Sequence, residues 1–471
     1  MKNTSYTRRT VLAAAAATAF STSVLRAGAA PAGASQYKPV FDVHEPIGRG
    51  VGVMPGRVVW AHDPRCVSWD GSGYWWEPRH FDLVRVRTML GRAVASLAGV
   101  DVPASGAAPG GEALRKAWDR LFENFNARRR GAARGYARGE KIAVKVNMNG
   151  AGAYGSRTPG FTEESYGNAV LMRALVESLV EGAGVSPADI VFYDAGRLFP
   201  QYLMDYVRAS GAPHEGVLAA GTLPYPQVGF RHRTPGTQTD AAADKSAPVV
   251  WSGSIDGEAC YVPRCVTEAH YLINLANLKG HCYGLTLCGK NHFGSFVNND
   301  RMRAPQAAGL HGNISGASTG DYSVLVDLMG HRDLGAKTML CILDGILTAV
   351  GESVSLTAED ARWSMPPFDG GFCASLFVSQ DPVAIDSVGA DFLMNEPNVT
   401  RRNRVLAGNK GVENYLHEAA QADHPRSGTR YTDGRGQPLK SQGVHDHWDN
   451  PVDKRYGRNL GKPEGIELVR V

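Results

Sequence analysis

The chain has 471 residues, 43% hydrophobic and 20% charged, the balance of a folded globular protein and not of a disordered one. Its 50 lysines and arginines exceed its 46 acidic residues by four, and four basic residues (Lys2, Arg8, Arg9 and Arg26) but no acidic ones lie within the first 29 positions. Without that segment the charges balance, so no general electrostatic case exists for a nucleic-acid partner or an anionic membrane surface.

The first element is Arg8-Arg9 followed by an alanine-rich apolar stretch to Phe20 and the small residues Ala27-Gly28-Ala29. This pattern reads as a twin-arginine signal peptide over residues 1–29. The apolar run is shorter than the roughly 20 residues of a membrane span, so cleavage and no membrane anchor are expected. The chain is then a substrate of the twin-arginine translocase, periplasmic or secreted. Such substrates cross folded, so the seven cysteines (66, 260, 265, 282, 288, 341 and 373) are read as mostly buried free thiols. No Cys-x-x-Cys occurs, and no iron–sulfur cluster is expected.

Residues 30–50 read as a flexible lead and 51–471 as one large domain. Arg57–His62 is apolar and β-branched, a buried strand ending at Asp63-Pro64. Apolar spacing predicts helices over 81–97 and 111–130. A strand over 141–147 runs into a polar, glycine-rich loop, a helix over 165–181 and a strand over 189–194, one parallel β-loop-α-β unit. The stretch 211–245, rich in Gly, Pro and Thr, reads as irregular. Strands follow over 249–251, 269–275, 337–343 and 374–379, with helices over 322–329, 382–394 and 412–422 and a turn-rich tail from 423 to 461. The fold class is α/β: a mixed, mainly parallel sheet flanked by helices, with a C-terminal wrap.

Chemistry concentrates between Tyr271 and Phe296, where Lys279, His281, Cys282, Cys288, Lys290, Asn291 and His292 follow an apolar strand. Residues beyond the carboxyl ends of parallel strands line the ligand crevice of such folds. Lys290, His281, His292 and Asp344 are therefore the candidate catalytic residues. Asp63, Lys145, Asn147, Asn291 and Asp386 are candidate substrate contacts, although Asp386 and Asp381 also suit the first turn of a helix beginning at Pro382. The segment is not a phosphate-binding P-loop, because Gly289-Lys290 is followed by Asn291 where Ser or Thr is required. His445 and His447 point to one side of an extended stretch and can chelate a divalent metal ion. Glu413 and His417, four apart, read as a contact along one helix face.

Taken together, Ala143–Asn147, Asn274–His281, Leu287–Gly294, Ser379–Asp386, Asn414–Ala420, Gly443–Trp448 and Tyr456–Leu460 resemble the bacterial family called domain of unknown function 362. Some members of that family carry a ferredoxin-like segment, from which this chain departs by lacking the clustered cysteines. His281 and Lys290 around a glycine-rich loop are more loosely similar to a region of the lactate racemase family, where the resemblance would imply a lysine-anchored nickel cofactor. The expectation is a periplasmic enzyme doing metal-assisted or acid/base chemistry on a small polar substrate, a hydroxy acid or sugar derivative. A non-catalytic ligand-binding or glycan-binding protein and a redox or cofactor carrier are the alternatives.

Overall fold

A computed structural model describes residues 38–151, 164–197, 199–208, 216–221, 238–255, 259–298, 310–315, 317–352, 354–409 and 411–471. The segment read as a signal peptide, and part of the stretch 211–245, lie outside them. Nine strands form the central sheet: β1 (Arg57–His62), β2 (Ile142–Val146), β3 (Ile190–Asp194), β4 (Leu218–Gly221), β5 (Gln238–Asp240), β6 (Tyr271–Asn277), β7 (Thr338–Gly345), β8 (Ser375–Ser379) and β9 (Glu467–Arg470). Their spatial order is β9-β1-β8-β7-β6-β2-β3-β4-β5. Only β8 runs against its neighbours; every other pairing in the sheet is parallel.

Alternate residues of each strand face opposite layers. Val59, Val144, Ile273 and Ile342 pack under α1 (Leu83–Leu97), α2 (Gly111–Arg130) and α3 (Ala169–Ala183). Val58, Ala143, Leu272 and Leu343 face the other layer. That layer contains the short α4 (Cys288–Asn291), the buried α5 (Pro382–Asn395) and α6 (Asn414–Ala420). Both faces are covered, which is why the strands read as continuous apolar runs and not as alternating ones. No helix among the described residues is long and apolar enough to cross a membrane.

The two short strands β4 and β5 fall in the stretch read as irregular. Leu218-Ala-Ala-Gly221 carries no β-branched residue and takes its extended form from pairing with β3. Of the segment 249–251 only Val249 is in a strand, the end of Ala243–Val249, in a separate small antiparallel sheet with Cys260–Pro263 and Val297–Asn298. Residues 38–50, expected to be a loose lead, are tied to the C-terminal wrap and to the end of α5: Ile47–Gly48 pair with Val444–His445, and Val40 N donates to Asn395 Oδ1 at 3.0 Å.

Asp381 joins these distant parts. It is fully buried, and its carboxylate accepts from Val383 N and Ala384 N at the start of α5, from Val51 N immediately after the lead and from Val444 N in the wrap. Asp381→Ala leaves four donors without their acceptor, and we expect a loss of about 3–5 kcal/mol in chemical denaturation. A loss below 1 kcal/mol would show that the lead and wrap hold without it.

Candidate functional site

The carboxyl ends of β2, β3 and β6 open into one cavity. It is lined by Lys145, Asn147 and Asn149 after β2, by Asp194 and Arg197 after β3, and by Lys279, His281, Thr286, Lys290 and Asn291 after β6, with His311 and Glu352 closing it. Its volume is about 90 Å³, which suits a small ligand. Four cationic side chains face two carboxylates among the described lining residues, so the cavity is shaped for an anion.

Local sequence explains how these groups arrive. After β6 the chain makes a tight hairpin, Lys279–His281 against Gly284–Thr286, turned by Gly284 at φ 140°, a backbone conformation that favours glycine. The short α4 then carries Lys290 to the cavity wall. Its start is held by Asp386, whose carboxylate oxygens accept from Cys288 N and Gly289 N at 2.8 Å each and from Tyr415 Oη at 3.0 Å. Asn291 ties α4 to the sheet. Its Oδ1 accepts from Lys145 Nζ at 3.1 Å, while its Nδ2 donates to Asn274 Oδ1 at 2.7 Å.

All three lysines are buried, and burial is the first cause acting on each ammonium. Lys145 donates to Val146 O at 2.6 Å and to Asp194 at 3.3 Å, yet its pKa is still lowered by burial against the pull of Asp194. Lys279 donates to Ser165 O at 2.8 Å; burial lowers its pKa to about 8, opposed by Glu352. Lys290 is lowered to about 7, again by burial with Glu352 opposing, and its Nζ lies 3.5 Å from His311 Nε2 and 4.9 Å from the Phe293 ring centroid. Burial also holds His281 neutral and lowers His311 to about 4. His281 Nδ1 accepts from Tyr283 N at 2.9 Å, so its Nε2 carries the proton, and its ring stacks on His311 with centroids 5.5 Å apart.

Of the residues expected from sequence, the cavity thus brings together Lys145, Asn147, His281, Lys290 and Asn291. Four others stand elsewhere. Asp63 caps the turn Pro64–Cys66 and pairs with Arg65 and Arg85. His292 lies behind the wall between Asn274 Nδ2 at 3.2 Å and Ser295 Oγ at 3.0 Å, with its pKa lowered to about 3 by burial. Asp344 accepts from Ile346 N and Asn168 N, and burial raises it to about 6. Asp386 acts on the backbone of α4 and does not line the cavity.

His445 and His447 lie apart from the cavity, in a cluster with His44, Glu413 and His417. Within the cavity wall His281, Cys282 and Glu352 also approach one another, but Glu352 already accepts from the Cys282 backbone and lies 2.8 Å from its thiol. All seven cysteines are free thiols.

Residues 142–391, just over half of the chain, match the family model described as domain of unknown function (DUF362). The chain belongs to that family. No curated protein matches it. Every lining residue of the cavity falls inside the matched DUF362 region, whereas His44, Glu413, His417, His445 and His447 fall outside it.

Three lining residues with ionisable side chains, Arg197, His311 and Glu352, had no place among the candidates expected from sequence. Arg197 carried a local signal, standing three positions after the strand-end Asp194 and donating to Asn149 Oδ1 at 2.6 Å. His311 and Glu352 carried none, because nothing in their neighbourhood distinguishes them from solvated residues. The fit is tight at Gly294, where a Cβ would lie 2.6 Å from Asp194 Oδ1 and 2.9 Å from Lys145 Nζ. Gly294→Ala should cost about 1–3 kcal/mol in urea denaturation. Gly312→Ala, which meets open space, should stay within about 1 kcal/mol of the parent. Equal effects would show that Gly294 is not packed as described.

Proposed function

We propose that this DUF362 protein is an enzyme that moves a proton on a small anionic substrate, a hydroxy acid or an acidic sugar derivative. The observation that carries the reading is the convergence of Lys145, Lys279, Lys290 and Arg197 on one small cavity at the carboxyl end of the sheet. Lys145, Lys279 and Arg197 would hold the substrate carboxylate, and Asn147 and Asn149 would meet its hydroxyls. Lys290, carrying a neutral amine over part of the physiological range, would accept a proton from the position beside the carboxylate. The negative charge left on the substrate would spread toward the neighbouring ammonium groups, and the proton would return from the Lys290 ammonium.

The groups facing Lys290 are His281, His311, Cys282, Glu352, Lys279 and Arg197. The neutral fraction of Lys290 grows as pH rises through about 7, and Lys279 loses its charge as pH rises through about 8. Turnover should therefore climb through about 7 and fall again as anion binding weakens through about 8. The test is exchange of solvent deuterium into a panel of 2-hydroxy acids and uronic acids, followed by NMR, beside calorimetric titration of the same compounds. Lys290→Gln should bind within a few-fold of the parent and lose exchange by at least 100-fold. Binding without exchange in the parent would make the protein a capture protein and end the catalytic reading.

We propose further that residues 1–29 are a twin-arginine signal recognised by the translocase and that the protein works in the periplasm or beyond, without a nucleic-acid partner. Arg8-Arg9, the short apolar run and the neutral charge balance of the remainder support this. Arg8→Lys with Arg9→Lys should retain the precursor in the cytoplasm; unchanged processing in fractionated cells would sink the proposal.

A further inference from the structure

A second site lies where the lead, α6 and the wrap meet. Glu413 and His417 are separated by one helical turn and present their side chains to the same side. The pairing of Ile47–Gly48 with Val444–His445 brings His44 beside His445. The ring centroids of His417 and His445 are 4.6 Å apart, those of His44 and His445 4.9 Å, and those of His44 and His417 5.4 Å. Ligand atoms of these three histidines all fall within 4.8 Å of one another.

The outer hydrogen bonds fix two of the tautomers. Ser387 Oγ lies 2.8 Å from Val383 O and must donate its one proton there, so it accepts from His445 Nδ1, also at 2.8 Å. His445 Nε2 then carries a lone pair, is buried, and has no hydrogen-bond partner. His44 Nδ1 donates to Glu45 O at 2.7 Å, which leaves His44 Nε2 in the same condition. A histidine whose far nitrogen donates outward while the near one points inward unpartnered is the arrangement metal-binding imidazoles adopt.

Glu413 completes the set, with its oxygens 3.7 Å from His417 Nε2 and 3.7 Å from His445 Nε2. Ligands at tetrahedral bond lengths of about 2.0–2.1 Å stand about 3.4 Å apart, so the Glu413 oxygens at 3.7 Å are already near that spacing and the three imidazoles, within 4.8 Å of one another, need to draw in by about 1.4 Å at most. His447 has a different role from its neighbours. Its Nδ1 faces Asp391 at 2.9 Å and its Nε2 faces Glu413 at 2.7 Å, so both nitrogens donate and the ring clamps the Glu413 carboxylate. Phe41 stacks on this ring at 4.6 Å.

We propose that His44, His417, His445 and Glu413 bind one divalent transition-metal ion, tetrahedrally, as a staple between the lead and the C-terminal wrap. Three imidazoles and one carboxylate suit a borderline ion such as Zn²⁺ and not Ca²⁺ or Mg²⁺, which favour all-oxygen sites. With four protein ligands the site is structural. It shares no residue with the lysine cavity, so it stands or falls separately from the function proposed above.

The test uses the full chain purified without chelators. Elemental analysis should find one equivalent of a divalent transition metal per chain. A chelator should remove it and lower the Tm by several degrees, and added Zn²⁺ should restore both. His445→Ala and His417→Ala should each weaken Zn²⁺ binding at least 100-fold in a competition titration, while His281→Ala in the lysine cavity keeps full stoichiometry. Glu413→Gln, which preserves shape, covers the case in which the alanine variants fail to fold. Co²⁺ loaded into the parent should show the strong visible absorption of a tetrahedral site, and Glu413→Gln should weaken or shift it. No Zn²⁺ binding by the parent, full stoichiometry in the folded alanine variants, or an unchanged Co²⁺ spectrum in Glu413→Gln would each overturn the proposal.

Discussion

The arrangement depends on the polar groups buried along one helix. Asp381, Asp386, Ser387 and Asp391 all lie on or just before α5, and none is more than 1% exposed. They draw in three other parts of the chain: Val51 N next to the lead meets Asp381, the backbone of α4 meets Asp386, and the wrap from Val444 to Trp448 meets Asp381, Ser387 and Asp391. An orphaned buried carboxylate costs more than most single contacts contribute, so those segments must arrive together and in register. The helix acts as a jig that sets both the lysine cavity on one side and the histidine cluster on the other.

The cavity holds its cations under tension of a different kind. Burying ammonium groups is unfavourable, and the backbone offsets part of the cost by turning carbonyls toward them, Val146 O for Lys145 and Ser165 O for Lys279. What is left uncompensated appears as the lowered pKa of all three lysines. An anion entering the cavity would relieve that cost, so the protein's stability and its affinity for an anion draw on one source. Lys290, facing an imidazole and a phenyl ring instead of a carbonyl, feels this most.

Much of the architecture is legible in the sequence because the central strands are apolar on both faces. Arg57–His62 is bounded as expected, and helix 111–130 likewise, since glycine brackets it at both ends. The outer strands Leu218–Gly221, next to one edge, and Glu467–Arg470, at the other, escaped because they owe their form to a neighbour and not to their own residues. In the site, the segment from Lys279 to Asn291 announced itself by crowding reactive side chains into a short span. The displaced candidates share a cause, polar atoms already taken up by neighbours: Asp63 by arginines and its own turn, Asp344 by backbone N–H groups, His292 by Asn274 and Ser295, and Asp386 by the backbone of α4 and Tyr415. Glu413 with His417 was read as a helix contact because its partners, His44 and His445, are brought near only by the pairing of residues 47–48 with 444–445.

That sheet order has a consequence for how the molecule is made. Strand β1 lies between β8 and β9, so both of its neighbours come from beyond residue 374. During synthesis β1 has no edge to join until residues 375–379 have left the ribosome, and its apolar residues must wait. The protein cannot therefore settle domain-first from its amino end. β9, at Glu467–Arg470, then closes the other edge of β1, so this strand is locked from both sides by segments translated long after it.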